Sequence, residues 1–484
     1  MRLSIFSASN LIITLLVTLR VNASIVVNGN SYSVDRILTR DFAIIGGGST
    51  GTYSAIRLKD LGNTVVVIEG KDRLGGHTET YHDPKTGGTI DYGVVVYHDL
   101  DIVRNYFARL NVSLITSSFA STDSRYMDFQ TGKLVPDYSP ADPTAALGIY
   151  AEQLAKYPYV ELGFDLPYPV PDDLLMLFGD FVLKYGLQDL VEFLGGFAQG
   201  LGDILKQPTV RAVFFWVCRR GFEIANLFSY TFLKNFGSDL IRNLQTGFLT
   251  TALHDNSLLY ESASADLGKD VVLNSSILEV DRSGNGVKVV IKTPSGFTLI
   301  KSRKLIFTIP PKLKNLQGWD LDHSETSLFN QFSNSGYYTA IIQNSGIPDN
   351  LSIKDVSPNT LYNLPPLPAV YSLSPSGIPG LLSVKLGSVS DLTDEEAKQQ
   401  IISSVTNLQL NRTGPNNPEL AVYSSHTPFE LTVPPSAVAG GFYKSLYSLQ
   451  GERHTWYLGA AFHTHDSSLL WQFTEALLPN ITAS

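Results

Sequence analysis

The chain has 484 residues, of which 43% are hydrophobic and only 17% are charged. This length and apolar content are enough for two sizeable hydrophobic cores. The formal net charge of −9 argues against a nucleic-acid-binding role. Cys218 is the single cysteine, which excludes an intrachain disulfide and a cysteine-rich metal site. We expect Cys218 to be a buried structural thiol.

The first 23 residues have the pattern of a secretory signal peptide. Arg2 provides a positive charge, Leu11 to Leu19 is apolar, and Val21-Asn22-Ala23 is a small-residue cleavage site. A membrane anchor is the alternative, but the apolar run is short for a span, and no later stretch is long and apolar enough to cross a membrane. We therefore expect a secreted protein or one in the lumen of the secretory pathway. Five sequons agree with this route and are candidate glycosylation sites: Asn111, Asn274, Asn350, Asn411 and Asn480.

A glycine-rich turn between two apolar segments organises the rest of the chain. Phe42 to Ile45 predicts a buried strand, Thr52 to Leu61 a helix, and Thr64 to Ile68 a second strand. The turn reads Gly46-Gly47-Gly48-Ser49-Thr50-Gly51 and fits G-x-G-x-x-G, and Glu69 follows the second strand. This spacing is typical of a dinucleotide-binding unit in an α/β fold.

Each part of this motif has a physical task. Gly46 permits the tight turn, Gly48 allows the backbone to approach a diphosphate, and Gly51 lets helix and strand pack closely. Ser49 and Thr50 lie in the turn just before the helix, whose N-terminal unpaired N–H groups and dipole favour phosphate. Glu69 is placed to accept hydrogen bonds from an adenosine ribose.

A hydrolase motif competes for the same residues. Gly47 to Gly51 also fits G-x-S-x-G, the nucleophile elbow found between a strand and a helix. We reject this reading because the elbow would fall on the first strand of the mature chain. It would also leave Glu69 and the glycines that follow it unexplained.

The segment after Glu69 resembles the R-x-G-G-R motif of the flavin amine oxidase superfamily. It reads Lys71-Asp72-Arg73-Leu74-Gly75-Gly76-His77. The resemblance implies FAD as the cofactor. Residues along its diphosphate and flavin would then be Gly70, Arg73, Gly75, Gly76 and His77. Histidine replaces the final arginine of the family, which weakens one expected charge contact but leaves a hydrogen-bond donor.

Two further segments resemble the same family. Thr89 to Val94 is similar to its D-x-G segment, which implies that Gly93 and Val94 lie near the flavin ring. An ordinary buried strand explains this segment equally well. Val271 to Pro311 resembles the second FAD-binding segment and ends, like it, in T-I-P-P. That resemblance implies a backbone contact from Ile277 to the adenine.

A last segment resembles the final flavin strand of the family. Thr455 to Phe462 is similar to that strand, which implies that Gly459 lies near the flavin pyrimidine. The acidic residue usual after the glycine is missing. We expect Asp466-Ser467-Ser468 to cap a short helix over Leu469 to Leu478 and to face the same ring. His463-Thr464-His465-Asp466 is also a possible metal-binding pattern, but no third separated ligand stands out, so we predict no metal.

The flavin-like segments lie at the start, middle and end of the mature chain. This layout resembles the two-domain FAD-binding Rossmann-like α/β fold of the amine oxidase type, with a mixed helical and sheet substrate domain. We expect the FAD-binding domain at 40–136, 245–311 and 441–484, and the substrate domain at 137–244 and 312–440. Within the substrate domain, helices are expected over 174–185, 187–205, 210–228 and 394–406.

The start of the chain, the signal peptide and the short C-terminus look most like the fungal beta-cyclopiazonate dehydrogenase group. The resemblance implies an FAD-dependent oxidoreductase that oxidises a C–N or C–C bond of a small, apolar, nitrogen-containing metabolite. Hydride would pass to flavin N5, with oxygen as a possible acceptor. An FAD-dependent double-bond isomerase and a non-catalytic FAD-binding protein are the alternatives. No catalytic base can be assigned. The residues that border flavin segments are each expected to be structural or to support the cofactor: His77, His82, His98, Tyr457 and His463.

Overall fold

The computed structural model describes residues 23–117, 123–205 and 233–483. These residues form two large β-sheets and three two-stranded sheets. The strands, in chain order, are β1 (Ala23–Val27), β2 (Asn30–Val34), β3 (Arg36–Ile45), β4 (Val65–Ile68), β5 (Thr80–His82), β6 (Thr89–Asp91), β7 (Leu114–Ser117), β8 (Asp123–Asp128), β9 (Lys133–Leu134), β10 (Phe248–Thr251), β11 (Val271–Val272), β12 (Ser276–Gly284), β13 (Gly286–Thr293), β14 (Gly296–Phe307), β15 (Ser333–Gln343), β16 (Leu351–Asp355), β17 (Ala369–Pro375), β18 (Leu382–Ser388), β19 (Glu419–Ser425), β20 (Phe429–Thr432) and β21 (Thr455–Tyr457).

Helices connect and cover these sheets. In chain order, those of the described residues are α1 (Ser49–Asp60), α2 (Asp101–Arg109), α3 (Thr144–Leu154), α4 (Phe178–Tyr185), α5 (Gln188–Phe197), α6 (Ser238–Thr246), α7 (Ser257–Leu267), α8 (His323–Phe329), α9 (Asp394–Asn407), α10 (Pro435–Ala439), α11 (Phe442–Tyr447) and α12 (Ser467–Thr482).

The first large sheet carries the glycine-rich turn. Its order is β11-β4-β3-β14-β13-β12, with β21 paired to β14. Strands β11, β4, β3, β14 and β21 pair in parallel with one another, whereas β14 pairs antiparallel with β13, and β13 with β12. Helix α1 lies against both α7 and α12. All four residues of β4 are buried, as expected for a parallel strand covered on both faces. The predicted strand–turn–helix–strand unit is confirmed.

The last helix is longer than the sequence indicated. It starts at Ser467 and continues to Thr482, including Pro479 in its final turn, instead of spanning only 469–478. Trp471 is fully buried and stacks on Tyr53 with ring centroids 5.5 Å apart. This packing holds the helix in place. The predicted cap is confirmed, because the Asp466 carboxylate accepts a hydrogen bond from the Leu469 N–H at 3.0 Å.

The second large sheet has two different faces. Its order is β19-β15-β18-β17-β16-β8-β9, with β20 paired to β15. One face packs on α9, where Ala397 and Ile401 meet Val384 and Leu386 in a buried apolar cluster. The helix begins in a capping box between Thr393 and Glu396, so the sheet, the helix and its cap are confirmed. The opposite face of the sheet is the polar one described below.

Two segments differ from the predicted domain ranges. Residues 23–34 form the β1–β2 hairpin, and Val27 and Val34 pack on Val290 of β13. The predicted boundary at 136 assigns β8 and β9 to the FAD-binding segments, whereas β8 pairs in parallel with β16 of the second sheet. Both segments associate through pairings with residues far away in sequence, which local patterns do not reveal.

The helical region between 137 and 246 also differs in detail. Helix α3 was not among the predicted helices. Helix α5 ends at Phe197 and not at Leu205, because Gly200 and Gly202 take positive φ angles of 85° and 75°. The predicted helix 210–228, with Cys218, lies outside the described residues.

A buried ion network joins β12, the loop at Asp320 and helix α8 to the last strand, β21. The Arg282 side chain is 0% exposed and donates to Asp320 at 2.8 Å and to Glu325 at 2.6 Å. Its guanidinium also donates to the Tyr457 hydroxyl at 3.0 Å, and Tyr457 in turn donates to Glu325. Arg453 contacts both acids. Tyr457 is therefore part of a structural network.

We expect Glu325→Ala to destabilise the protein by about 3–5 kcal/mol, because it leaves the Arg282 charge buried without its main partner. Arg303→Ala is the matched control: Arg303 is 66% exposed and pairs only with Asp41 at the surface, so its loss costs within about 1 kcal/mol. Urea unfolding of the FAD-loaded protein measures both. Equal losses would show that the network does not hold the fold together.

Candidate active site

Two glycine segments touch each other at the carboxyl ends of β3 and β4. Gly46 has a φ of +98°, and a Cβ at Gly51 would lie 1.9 Å from the Gly46 carbonyl oxygen. A Cβ at Gly76 would lie 2.9 Å from the Gly48 Cα. The Gly75 N–H donates to the Gly47 carbonyl at 2.8 Å. Side chains at these positions would push the two segments apart, so the contact requires glycine.

The Glu69 carboxylate connects this turn to the segment that follows β4. One carboxylate oxygen accepts from the Gly47 N–H at 2.6 Å, and the other accepts from the Lys71 N–H at 2.7 Å. The Ser275 N–H donates to the Glu69 carbonyl at 3.0 Å, which brings the start of β12 and Ile277 close to the turn. The structure therefore gathers these predicted adenosine-binding residues at one edge of the sheet.

The turn is surrounded by polar groups that fit a diphosphate. Helix α1 begins at Ser49. Its N-cap residue is Gly48, which has no side chain to cap the first N–H groups of the helix. Three buried hydroxyl groups lie near one another at this end, those of Ser49, Thr78 and Tyr260, and among the described residues none of them makes a close hydrogen bond. Buried hydroxyls are ordinarily hydrogen-bonded, so these groups suit the phosphate oxygens of a dinucleotide. Among the described residues, no base is hydrogen-bonded to Ser49 Oγ, whereas a hydrolase nucleophile requires one.

Arg73 is committed to the protein itself. Its guanidinium donates to the Thr78 carbonyl at 2.9 Å and to the Glu79 carboxylate at 2.7 Å. Glu79 also pairs with Lys71 at 2.9 Å. Burial raises the pKa of Glu79, but hydrogen bonds from His426 and Ser424 and these positive charges hold it well below its usual range. Arg73 thus stabilises the loop that carries Gly75 and Gly76. It does so partly through Glu79, which was not predicted as a site residue.

His77 belongs to a cluster of rings that we call the ring cluster. It stacks on His426 with centroids 4.4 Å apart and lies 6.1 Å from Phe429. Phe429 in turn lies 3.9 Å from His465 and 5.0 Å from Tyr337. Burial and the neighbouring imidazoles lower the pKa of His77 well below its usual value, and burial lowers the pKa of His465 to about 3. These imidazoles are uncharged at neutral pH.

The other predicted flavin-contacting residues surround this cluster. A Cβ at Gly93 would lie 2.0 Å from the His77 carbonyl oxygen, and the Val94 N–H donates to that oxygen at 3.1 Å. Gly459, with φ +93°, lies against Thr308, whose hydroxyl is within 3.2 Å of the Gly46 carbonyl. The flavin contacts of all these residues remain predictions.

A cavity of about 1330 Å³ lies beside the ring cluster. It is enclosed by α3, α5, α6 and the polar face of the second sheet, and Phe193 and Phe197 provide aromatic walls. Gly200, between the lining residues Gln199 and Gly202, lies against Tyr337 and Phe429. The cavity therefore adjoins the ring cluster, and its size suits a small-molecule ligand.

His98 and Asp466 form a charged pair in the wall of this cavity. The His98 ring contacts the Asn243 amide oxygen at 2.8 Å and the Asp466 carboxylate at 3.3 Å. Burial lowers the pKa of His98, but the Asp466 charge outweighs burial and raises it to about 9. Because both neighbours are acceptors, both ring nitrogens carry protons. The backbone N–H of His98 donates to Ser468 Oγ at 3.0 Å, which fixes the start of α12.

The remaining candidate histidines lie elsewhere. His82 is 58% exposed and faces Asp255. His463 is buried and packs on the Phe473 ring. Since His465 contacts Phe429 and Asp466 contacts His98, the possible metal-binding pattern does not converge. Within the described ranges, no group of three or more His, Cys, Asp or Glu residues is placed to hold a metal.

The ring cluster contains residues that sequence reasoning missed. His426, Phe429 and Tyr337 come from the segment 312–440, which carries no motif at these positions. They reach the glycine segments only because β15 pairs with both β19 and β20. No local sequence signal distinguishes them from core residues.

Comparison with known proteins identifies the family. The model of the flavin-containing amine oxidoreductases matches residues 50–456. The chain belongs to this family. An FAD-dependent oxidoreductase of Cochliobolus heterostrophus, oblC, is 37% identical, and the match covers 94% of each chain. A beta-cyclopiazonate dehydrogenase of Aspergillus flavus is 32% identical, and the match covers 94% of this chain and 96% of that protein. The chain is thus an FAD-dependent oxidoreductase that acts on a small molecule.

Solved structures show the same fold at lower identity. A fatty acid isomerase from P. acnes has a TM-score of 0.70 at 18% identity, covering 92% of this chain and 99% of that one. Putrescine oxidase bound to putrescine has a TM-score of 0.61 at 16% identity, covering 93% of this chain and 100% of that one. The predicted two-domain amine oxidase fold is therefore confirmed, and the family match and the FAD-dependent relatives confirm the FAD cofactor.

We expect Glu69→Ala to weaken FAD binding by about 10- to 100-fold, because hydrogen bonds to a charged group contribute about 1.5–3 kcal/mol. Asp60→Ala is the matched control, since Asp60 lies at the far end of α1 and pairs with Arg109. Dissociation constants for FAD measured by fluorescence test this. Equal constants for the two variants would refute the role of Glu69.

The His98–Asp466 pair makes stability depend on pH. The pKa of His98 is raised to about 9 in the folded state, above about 6.5 in the unfolded chain, so its contribution is complete below pH 6.5 and disappears as pH rises through 9. We expect the free energy of unfolding to fall by roughly 3 kcal/mol over this interval. His98→Gln should largely remove this dependence, whereas exposed His82→Gln should retain it. A wild-type profile no steeper than that of His98→Gln would contradict the pairing.

Proposed function

We propose that the protein oxidises a C–N or C–C bond of a small, mainly apolar, nitrogen-containing metabolite. The observation that carries this proposal is the position of the cavity, which adjoins the ring cluster built on the Gly75–His77 segment. The similarity to a protein named beta-cyclopiazonate dehydrogenase supports a dehydrogenation. Bound FAD would accept a hydride from the substrate carbon at flavin N5.

The ring cluster is suited to position the substrate. Burial keeps His77 and His465 uncharged, and a histidine with a pKa of about 3 is a poor proton acceptor at neutral pH. Phe429 lies between them and offers a flat apolar face. The chemical role of these residues is to exclude water and hold the reacting carbon in place.

The protein is also proposed to pass through the secretory pathway. The asparagines of all five sequons are exposed, as glycosylation requires. In the part of the chain that the structure covers, no helix is long and apolar enough to cross a bilayer. Mass analysis of the protein from its natural host, before and after removal of N-linked glycans, tests this route. A chain that keeps its first 23 residues and carries no glycan would contradict it.

The reaction is tested by an anaerobic screen of the FAD-loaded protein with apolar amines and nitrogen heterocycles, using their carbocyclic analogues as controls. We expect a nitrogen-containing compound to bleach the flavin, and air to restore the colour with a product two hydrogens lighter. A product of unchanged mass would identify an isomerase, and FAD binding without any reaction would identify a binding protein. Either outcome would overturn the proposal.

A matched pair of variants locates the reaction. Phe429→Ala should slow flavin bleaching at least about tenfold, because the substrate loses the surface that orients it. Phe297→Ala, on the first sheet beside Tyr32, should leave the rate unchanged. Equal rates for the two variants would show that the ring cluster is not at the reacting bond.

A further inference from the structure

A row of polar residues crosses the second sheet on the face opposite α9. Strand pairing places these residues side by side, and directly paired residues share one face of a sheet. In order across β8, β16, β17, β18, β15 and β19, they are Tyr126, Lys354, Ser372, Lys385, Thr339 and Ser424. The first four line the cavity. The sixth lies beside Glu79, so the row runs from the cavity to the glycine segments.

Lys385 stands out in this row because its charge is unmatched. Among the residues that the structure describes, no carboxylate lies within ion-pair distance of its nitrogen, and no acceptor takes its hydrogen bonds. Burial lowers the pKa of Lys385, with no charged neighbour to offset that effect. The adjacent Thr339 is 0% exposed, and its hydroxyl has no partner in the described ranges. Buried polar groups without partners are costly for stability.

The acidic groups of the cavity, in contrast, are engaged elsewhere. Asp466 pairs with His98, and Glu192 accepts a hydrogen bond from Tyr138. Asp355 accepts from the Phe129 N–H at 3.0 Å, and burial raises its pKa to about 7, which reduces its negative charge. Asp203 accepts from the Leu205 N–H. Lys385 is therefore a cationic side chain in an apolar cavity whose carboxylates are directed to other groups.

We propose that Lys385 binds an anionic oxygen of the substrate, such as a carboxylate or an ionised enol. This inference rests on the proposed function only in taking the cavity as the substrate site. A charge-assisted hydrogen bond is short, strong and directional. Lys385 therefore sets which end of the metabolite lies against the sheet, and the apolar remainder lies between Phe193, Phe197 and the ring cluster.

Two probes that differ in charge test this. Indole-3-acetate and its neutral analogue indole-3-acetamide are titrated into the FAD-loaded protein by calorimetry. We expect the wild type to bind the acetate at least about tenfold more tightly than the amide. Lys385→Met should bind both equally, and Lys385→Arg should keep part of the preference, because it keeps the charge.

Lys354→Met is the matched control, since Lys354 lines the same cavity but is exposed, and it should keep the wild-type preference. FAD content and melting temperature verify that each variant is folded. Absence of binding or of a preference in the wild type would overturn the proposal, as would a preference retained by Lys385→Met or lost in Lys354→Met. Binding requires no turnover, so these results are independent of whether any amine bleaches the flavin.

Discussion

The contact between Gly48 and Gly76 is the constraint on which the site depends. It joins the turn after β3 to the segment after β4, and one added carbon atom at Gly76 would break it. Glu69 bridges the same two segments through backbone hydrogen bonds. Because His77 directly follows Gly76, this contact also fixes where the ring cluster begins. The glycine-rich turn and the start of the ring cluster are therefore positioned by a single steric condition.

The second sheet completes the site because its two faces differ. Its outer face is apolar and packs on α9, while its inner face carries the polar row that ends near Glu79. Glu79 pairs with Lys71 and Arg73 of its own segment, and it also contacts the His426 ring of the segment after β19. The rings of the cluster are uncharged. Two cations lie in the cavity walls: His98, which is paired with Asp466, and Lys385, which has no carboxylate partner among the described residues.

The sequence predicted those parts of the structure whose causes are local. The glycine spacing, the position of Glu69 and the caps at Thr393 and Asp466 follow from turn geometry and hydrogen bonding within a few residues. The ring cluster was not predicted, because His426 meets His77 only through the pairing of distant strands. The last helix was predicted too short, since its final turn is held by the burial of Leu478 and Ile481 in the core, which a local pattern does not reveal. Arg73 was assigned to the cofactor from its resemblance to the R-x-G-G-R motif, and its pairing with Glu79 was not predicted because Glu79 has no motif.

The most direct test is a crystal structure of the protein with FAD bound. We expect the diphosphate to lie on the turn at Gly48 and Ser49, and the ribose to contact Glu69. We also expect the flavin ring to lie between the ring cluster and the cavity, within van der Waals distance of the cluster. A flavin ring directed away from Phe429 and His465, or a diphosphate bound away from the glycine turn, would contradict this expectation.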